Sequence, residues 1–384
     1  MNEAHLSEIV ALRHELHACA ELSMHETQTM RVLTDFLRTH TALNVVQREG
    51  WFYAVKPGVP GKKTIALRAD MDALPIAESL SLPYASRQDG VSHKCGHDGH
   101  CAALCGAALE LDDTPPQATV CLLFQPAEET GRGASICRTL LQERGISEIY
   151  AFHNLGGFPQ GSVVYRRGLT QPASEGLRIR MTGKTAHAAA PESGRSPVAA
   201  LAALALAAQA YTQTRDDDLL LCTVAGLTLG SGDFGISPGE GEICLTLRSN
   251  SEVRLKQLER DLLSRAEALA GESGVGMEYA VCDAFPQTRN HSACLDRVLR
   301  AADSLALQTI EMPSMWRASE DFGHYLHVCP GAMFYIGTGE AYAPLHTAAY
   351  DFNDAILGNA VDLFTAVIRD FEKEPPNAAS FVFG

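Results

Sequence analysis

The 384-residue sequence lacks a basic surplus, a long apolar run and a regular cysteine framework. Its 31 lysines and arginines are outnumbered by 46 aspartates and glutamates, so the net charge is −15. Nucleic-acid-binding proteins carry basic patches, and anionic membrane surfaces repel an acidic protein, so we expect neither as a partner. The most apolar segment, residues 198–208, is only eleven residues long. It is too short to span a bilayer.

The cysteines and the amino-terminal residues carry no sign of secretion. The eleven cysteines are an odd number with irregular spacing, and the first ten residues lack the basic and apolar segments of a signal peptide. We therefore expect reduced thiols in a cytoplasmic protein. Histidine is the exception to this ordinary composition, because three of the fourteen lie between Ser92 and Cys101.

Short apolar runs alternate with helical patterns along most of the chain. The runs are at residues 64–68, 119–124, 148–152 and 332–336, and helical patterns are at 99–111, 133–144 and 293–305. Two further helices are predicted in the first forty residues, the second preceded by a capping-box pattern at residues 23–26. Strands buried on both faces that alternate with helices predict an α/β layered sheet. We expect the polar tail, residues 372–384, to be partly disordered.

The middle of the chain has a different order of elements. The predicted elements are a strand at 177–182, a helix at 197–212, strands at 219–227 and 242–248, a helix at 251–270 and a strand at 275–281. This β-α-β-β-α-β order is the split ferredoxin-like motif, which can close as a small domain. The sequence therefore predicts a mixed-sheet α/β domain, residues 1–172 and 285–384, interrupted by an inserted ferredoxin-like domain, residues 173–284.

Metal-binding residue types follow the predicted strands. The candidates are Asp70 and Asp72 after the first run, Glu128 and Glu129 after the second, His153 after the third, His346 beyond the fourth, and Cys95 and His97 at a helix start. Ligands of α/β sheets bind outside the carboxyl ends of the strands. Thiolate, imidazole and carboxylate together suit a transition metal such as zinc. Of two adjacent glutamates, one could bind metal while the other acts as a general base.

Structural roles are the alternative for each of these residues. A closed zinc site could be formed by Cys95, Cys101, Cys105, His97 and His100, although Cys101 and Cys105 lie on a predicted core helix. The two glutamates could belong to a solvated loop, and the two aspartates could stabilise turns. Metal-binding residue types occur after four predicted strands and at the start of one predicted helix, and this convergence favours a metal site.

Five motifs in this order resemble those of the M20 metallopeptidase family, in the amidohydrolase branch with hippurate hydrolase, auxin-conjugate hydrolases and N-acyl-amino-acid deacylases. The motifs are CGHDGH at 95–100, FQPAEE at 124–129, GKTAHAA at 183–189, SEDFG at 319–323, and Leu345-His346 followed by residues 350–354. The resemblance extends from Arg13 to Asp354. It implies a catalytic di-metal domain interrupted by a ferredoxin-like dimerisation domain.

The resemblance also implies a metal centre with two divalent transition-metal ions per subunit, for which zinc, manganese, cobalt and nickel are candidates. Cys95 would bridge the two ions. The remaining ligands would be His97, Glu129, His153 and His346.

The implied reaction is the hydrolysis of the amide bond of an N-acyl amino acid, or of a related conjugate, by a metal-bound hydroxide. A carboxylate and an amino acid would be released. Glu128 would be the general base, and His187 would reach the active site of a partner subunit to stabilise the oxyanion. The resemblance therefore implies a homodimer or a dimer of dimers. On the residues alone, His187 could equally be a surface histidine.

Departures from the family pattern bear on the substrate. Ser196, preceded by Arg195, stands where an aspartate is usual, and Gly235 stands where an asparagine is usual. Arg248 ends a predicted strand and could pair with a substrate carboxylate, or it could form a salt bridge at a solvated sheet end. Two other functions remain open: a metallo-aminopeptidase or dipeptidase, which would need an acidic residue for the free amine, and a non-catalytic ligand-binding relative.

Overall fold

The computed structural model describes residues 1–215 and 218–373, and the chain divides into two compact units. The first unit contains Met1–Thr170, Thr288–Ser314 and the chain from Asp321 onward, and the second contains Gln171–Gln287 and Met315–Glu320. The short segment Met315–Glu320 therefore belongs to the second unit, although the sequence prediction assigned it to the first. Nearly all of the tail predicted to be disordered lies outside the described residues.

Helices and strands follow the chain in this order. The first unit begins with α1 (Glu3–Ala18), α2 (Thr27–His40), β1 (Asn44–Arg48), β2 (Trp51–Lys56), β3 (Thr64–Asp70), α3 (His97–Asp113), β4 (Thr119–Gln125), α4 (Gly133–Cys137), α5 (Thr139–Glu143), β5 (Ile146–Leu155), β6 (Val163–Tyr165) and β7 (Leu169–Gln171). The second unit contains β8 (Ala173–Thr182), β9 (Ala186–His187), α6 (Val198–Gln209), β10 (Gln213–Arg215), β11 (Asp218–Leu229), β12 (Ile236–Ser237), β13 (Glu240–Ser249), α7 (Glu252–Ser273) and β14 (Gly276–Phe285). The first unit resumes with β15 (Thr288–Arg289), α8 (Ser292–Ser304), β16 (Thr309–Glu311), α9 (Gly323–Leu326), β17 (Gly331–Gly337) and α10 (Leu357–Phe371).

A mixed sheet forms the centre of the first unit. In the described chain its eight strands have the order β1-β2-β4-β3-β5-β17-β6-β16. The central strands β4, β3, β5 and β17 are parallel, whereas β1 and β2 are antiparallel additions at one edge. The carboxyl ends of the four parallel strands therefore meet at the same edge of the sheet.

Helices cover both faces of this sheet, which explains why its strands are apolar throughout. In β4, Leu122 and Phe124 pack in one hydrophobic cluster, with α1, α2, α3, α8 and α10. Their neighbours Cys121 and Leu123 pack in a second cluster, with α4, α5 and α9. This layered arrangement confirms the predicted fold class.

The four predicted strands of the sheet are present, each with a small extension, but some elements were not predicted. They include the β1–β2 hairpin, whose turn places Gly50 at φ +75°, the short strands β6, β7, β15 and β16, and the helices α9 and α10. The predicted helix at 133–144 is divided into α4 and α5. No helix in the described part of the chain combines the length and apolar character needed to cross a membrane.

The second unit contains a five-stranded antiparallel sheet in the order β10-β11-β13-β8-β14, with α6 and α7 packed against one face. Its principal elements, β8-α6-β11-β13-α7-β14, have the predicted ferredoxin-like order. The helix α7 begins where the Ser251 hydroxyl accepts a hydrogen bond from the backbone N–H of Arg254, and it ends at Gly274 with φ +61°. A short ribbon of β9 and β12 was not predicted from the sequence.

Candidate metal centre

The carboxyl edge of the parallel strands brings together all five predicted metal ligands. Cys95 precedes α3, His97 is the first residue of α3, Glu129 follows β4, His153 lies near the end of β5, and His346 lies in the loop after β17. The ligand atoms of Cys95, His97 and His153 lie within 4.8 Å of one another, and so do those of Cys95, Glu129 and His346. The Cys95 thiol is therefore common to two groups of three candidate ligands.

The distances between these atoms suit donors that surround a cation. The Cys95 sulfur is 3.4 Å from His153 Nε2 and 3.3 Å from His346 Nε2. Glu129 Oε1 is 3.6 Å from His346 Nε2 and 3.8 Å from His97 Nε2. Such separations are expected when each donor lies about 2.0–2.3 Å from an ion.

Backbone carbonyls determine which ring nitrogen of two histidines faces the centre. His97 Nδ1 is 2.9 Å from the carbonyl oxygen of Asp72, and His153 Nδ1 is 2.8 Å from that of Asn154. Because a carbonyl can only accept, each Nδ1 carries the proton and donates it. Each Nε2 therefore faces the centre, where it can bind a metal once it carries no proton, as in metal-ligating histidines.

Buried polar atoms without hydrogen-bond partners support the presence of a cation at this site. Among the described residues, His97 Nε2, Glu129 Oε1 and Asp72 Oδ1 are buried and have no hydrogen-bond partner. A buried polar atom in this state is costly to the folded protein. A positive ion between His97 Nε2 and the Glu129 carboxylate would satisfy these two atoms, whereas Asp72 Oδ1 lies 3.3 Å from His97 Nδ1, on the other side of the ring.

The pKa values around the centre also indicate a deficit of positive charge. Burial and the neighbouring Glu129 and Glu128 raise the pKa of the Cys95 thiol well above its usual value. Burial lowers the pKa of His97, but Asp70, Asp72 and other carboxylates more than offset this effect and raise the pKa to about 10. A bound metal supplies positive charge and deprotonates a coordinating thiol. The donor set therefore fits a transition-metal ion.

Glycine is required at the turn that carries two of the ligands. Gly96, between Cys95 and His97, has φ +96°. A Cβ atom there would lie 2.6 Å from Asn154 Oδ1 and from the Tyr350 hydroxyl. The left-handed backbone and the close approach together exclude other residues at this position, so the turn presents both ligands at the start of α3.

A buried polar network lies behind the ligands. His100 contacts Asp70 Oδ1 at 2.6 Å and Asn154 Oδ1 at 2.7 Å, and the Asn154 amide donates to the Tyr350 hydroxyl at 2.7 Å. Arg68 donates to Asp70 Oδ2 at 2.8 Å. Both ring nitrogens of His100 are thus engaged by supporting groups. Asp70 was considered from the sequence, whereas Asn154 was not, because no pattern distinguishes one buried polar residue in a strand.

Glu128 lies beside the candidate ligands. Its side chain is almost fully buried, and its Oε2 is 4.0 Å from His97 Nε2. The backbone N–H of Asp321 points to Glu128 Oε1 over 3.4 Å. The structure thus places a second carboxylate next to Glu129, and one ligand atom each of His97, Glu128 and Glu129 lie within 4.8 Å of one another.

The alternative of a closed structural zinc site receives no support. Cys101 and Cys105 lie on α3 and pack in the hydrophobic core, where the Cys101 thiol donates to the carbonyl of Asp70 at 2.9 Å. In the part of the chain that the structure describes, no candidate metal group contains either cysteine. Both behave as small apolar residues.

His187 and Arg248 lie in the second unit and belong to neither candidate group. His187 is exposed on β9, opposite Ile236 of β12, and its Nδ1 accepts a hydrogen bond from the backbone N–H of Ala189 at 3.0 Å. Its ring proton is therefore at Nε2. Arg248 is half-buried at the end of β13 and donates to the backbone carbonyl of Arg317, while burial lowers its pKa.

The predicted capping box at residues 23–26 is wrong. The helix α2 begins at Thr27, and the Glu26 side chain makes no capping bond to it. The Glu21 carboxylate instead accepts from the backbone N–H groups of Gln28 and Thr29, at 3.1 and 2.9 Å. The side chains of Ser23 and Glu26 instead form hydrogen bonds with Asp72 and with the backbone of Ala127.

Fold and site together are those of a metal-dependent hydrolase. A family model, peptidase family M20/M25/M40, matches residues 66–370, and the chain belongs to this family. N-acetyl-L-cysteine deacetylase of Bacillus subtilis (strain 168) is 32% identical over 368 residues, which cover 94% of this chain and 88% of that protein. Hippurate hydrolase of Campylobacter jejuni is 28% identical over 375 residues, covering 95% and 97%.

A solved structure of another member of the M20 family has the same fold. A Bacillus subtilis protein described as a dinuclear metal-binding peptidase of the M20 family superimposes with a TM-score of 0.80 at 26% identity, covering 97% of this chain and 100% of that chain. The resemblance inferred from the sequence motifs is confirmed, and the chain is a metal-dependent amidohydrolase.

Proposed function

We propose that the protein hydrolyses the amide bond of N-acyl amino acids or related conjugates and releases a carboxylate and an amino acid. The observation that carries this proposal is the sharing of Cys95 by two ligand groups, with the Glu128 carboxylate beside them, 4.0 Å from His97 Nε2. Relatives named as an N-acetyl-L-cysteine deacetylase and a hippurate hydrolase support an acylated amino acid as the substrate. The catalytic domain would comprise residues 1–172 and 285–384.

Two divalent transition-metal ions would be held at the centre, with Cys95 between them. The remaining ligands would be His97 and His153 for one ion and Glu129 and His346 for the other. When bound, such ions polarise a carbonyl group and make water acidic. Thiolate and imidazole suit zinc, cobalt and nickel, while carboxylate also accepts manganese. Metal analysis of the purified protein distinguishes these four ions.

Glu128 would move the protons of the reaction. Its carboxylate would take a proton from the attacking water and return it to the nitrogen of the leaving amine. The N–H of Asp321 directs one carboxylate oxygen, and burial of the side chain keeps bulk water from competing for the proton. Glu129, the adjacent residue, would be a metal ligand, so one glutamate would bind metal and the other would transfer protons.

His187 would act on the active site of a second copy of the chain. Because Ala189 donates to Nδ1, the ring presents an Nε2–H donor, which suits the stabilisation of a developing oxyanion. The inserted domain, residues 173–284, would form the dimer. Its edge strand β14 exposes Tyr279 and Val281, a feature typical of surfaces that pair with another chain. A homodimer or a dimer of dimers would result.

Arg248 would bind the carboxylate of the amino-acid half of the substrate. The guanidinium group is partly desolvated, and its contact with the Arg317 carbonyl orients it at the end of β13. The cytoplasm is proposed as the compartment because all eleven cysteines of the sequence are free thiols, the state that a reducing environment maintains.

A substrate panel tests this proposal. Acetyl-, benzoyl- and aminobenzoyl-amino acids are assayed beside dipeptides with a free amine, each with zinc, manganese, cobalt and nickel. We expect turnover of at least one acylated amino acid and weak turnover of the dipeptides. Preference for dipeptides would favour the aminopeptidase or dipeptidase alternative. Failure of every substrate with every metal would favour a non-catalytic ligand-binding protein.

A further inference from the structure

Two side chains of the turn before α2 are linked by hydrogen bonds to the segment that carries both glutamates of the site, one directly and one through Asp72. We call residues 23–26 the N-terminal turn and residues 126–133 the glutamate loop. Glu26 Oε1 accepts a hydrogen bond from the backbone N–H of Ala127 at 2.8 Å. The Ser23 hydroxyl donates to Asp72 Oδ2 at 2.7 Å, and the same Asp72 oxygen accepts from the backbone N–H of Glu129 at 3.0 Å.

The glutamate loop has an unfavourable backbone conformation at the residue that Glu26 contacts. Ala127 has φ +51°, a left-handed conformation that residues with a Cβ rarely adopt. The Ala127 carbonyl accepts from the N–H groups of Arg132 and Gly133 at 3.2 and 3.1 Å. A Cβ at Gly133 would lie 1.6 Å from the carbonyl oxygen of Pro126. The loop is therefore tightly closed, and such a conformation persists only where its surroundings hold it.

The Ala127 N–H is held by a residue about a hundred positions away in the sequence. Glu26 is 5% exposed, so its hydrogen bond is protected from water. The next residue after Ala127 is Glu128, and a change in the φ and ψ angles of Ala127 would displace the Glu128 carboxylate. Displacement of a catalytic group by about 1 Å can cost about a hundredfold in rate.

We propose that the N-terminal turn positions the catalytic glutamates: Glu26 fixes the orientation of Glu128 through Ala127, and Ser23 fixes that of Glu129 through Asp72. Neither Glu26 nor Ser23 touches the substrate in this assignment. The inference rests on the proposed function, because it concerns the proton transfer assigned to Glu128 and the metal ligation assigned to Glu129.

The test compares variants of Glu26 that keep or remove the hydrogen-bond acceptor. Glu26→Met keeps the size of the side chain but removes the acceptor, and it should lower kcat about 10- to 100-fold with KM changed less than about threefold. Glu26→Gln keeps an oxygen that can accept from Ala127, and it should restore kcat to within about threefold of the wild type. Should Glu26→Met not fold, Glu26→Asp, whose carboxylate is one methylene shorter, should show the same loss.

Ser23→Ala provides a readout that does not depend on activity. Loss of the hydroxyl should weaken metal binding about tenfold, as removal of a group behind a metal ligand commonly does. Metal affinity is measured by competition with a chelator. Unchanged affinity would overturn the assignment of Ser23.

Glu21→Met is the matched control, since Glu21 makes the same kind of carboxylate-to-backbone contacts at the start of α2. It should lower thermal stability and leave kcat unchanged.

Three outcomes would each overturn the assignment of Glu26: unchanged kcat in Glu26→Met, equal losses of kcat in Glu26→Met and Glu26→Gln, or an equal loss of kcat in Glu21→Met. Glu128→Gln separates this inference from the proposed function. If the Glu128→Gln variant keeps its turnover, the proposed function fails. If Glu128→Gln is inactive and Glu26→Met is fully active, only the positioning role of Glu26 is refuted.

Discussion

The two units hold their candidate functional residues by different means. In the first unit, Cys95, His97, His153 and Glu128 are buried and contact groups such as the Asp72 carbonyl at His97 and the Asp321 N–H at Glu128. Among the five candidate ligands, His346 alone has an exposed side chain. In the second unit, His187 is exposed on a two-residue strand and contacts Ala189 of the same segment. Geometry is thus imposed on the metal centre by the whole sheet, whereas His187 is presented by local backbone pairing.

This difference has a physical cause. Charged groups must be buried with partners, because an unpaired charge away from water is costly. A centre made of cysteine, histidine and carboxylate side chains therefore requires a large supporting structure. The single exposed imidazole of His187, which accepts one backbone hydrogen bond, has no such requirement, so a short ribbon is sufficient to carry it.

The largest expected effect is that of metal removal. Chelation should abolish amide hydrolysis and lower the thermal unfolding temperature, because an ion that binds only the folded state stabilises it. Activity and unfolding temperature should return when zinc, manganese, cobalt or nickel is added. If the chelated protein remained active and equally stable, the proposal that these side chains bind catalytic metal ions would be wrong.

Glu128→Gln is expected to have the next largest effect. The amide cannot accept the proton, so kcat should fall by at least about a thousandfold, near the upper range for loss of a general base. Metal content, measured by elemental analysis, should remain at the wild-type value. If the variant cleaves acyl-amino acids normally, the assignment of the general base is wrong.

His187→Ala addresses the second unit. Loss of an oxyanion donor should lower kcat by roughly a hundred- to a thousandfold, with metal content unchanged. Mixed dimers of His187→Ala and Glu128→Gln subunits should regain part of the activity, because one of their two sites would contain both residues. Mixed dimers without activity would show that His187 does not act across subunits.

Arg248→Gln should have an intermediate effect. A charge-assisted hydrogen bond to a carboxylate contributes about 1.5–3 kcal/mol, so KM for an acyl-amino acid should rise about 10- to 100-fold. The substrate in which the carboxylate is replaced by an amide provides the comparison. If both substrates respond equally, Arg248 has a structural role at the end of β13.

Ser251→Ala should have the smallest effect. It removes the capping hydroxyl of α7 and should destabilise the second unit by about 1 kcal/mol. Chemical denaturation measures this change. The metal content of the first unit should be unaffected, and a coupled loss of metal would indicate that the two units do not respond independently.

Residue types and their spacing were sufficient to predict the layered sheet and metal-binding residue types at its carboxyl edge, and the family resemblance then implied the set of five candidate ligands. Apolar runs such as 119–124 mark a strand buried on both faces, and a carboxylate or histidine directly after such a run must lie at the strand end. The family motifs then indicated the roles of Cys95, Glu128 and Glu129. The inserted domain was predicted from the β-α-β-β-α-β order of its elements.

The sequence did not reveal how the site is supported. Asn154 has the appearance of an ordinary strand residue until β5 places it against His100 and Tyr350. Similarly, Ser23 and Glu26 have the spacing of a capping box, and sequence alone cannot show that Glu21 takes that function. Local patterns describe contacts over a few residues, whereas these partners are separated by between 49 and 196 positions.

By itself the sequence determined the fold class, the edge of the sheet where the ligands gather and the chemistry of those ligands, because these depend on local periodicity and residue type. Only the tertiary structure decided that His97 and His153 direct Nε2 to the centre, that Asn154 and Tyr350 lie behind the candidate ligands, and that Glu26 of the turn before α2 contacts the glutamate loop. Those features depend on hydrogen bonds between distant segments, which form only when the sheet and its helices have packed.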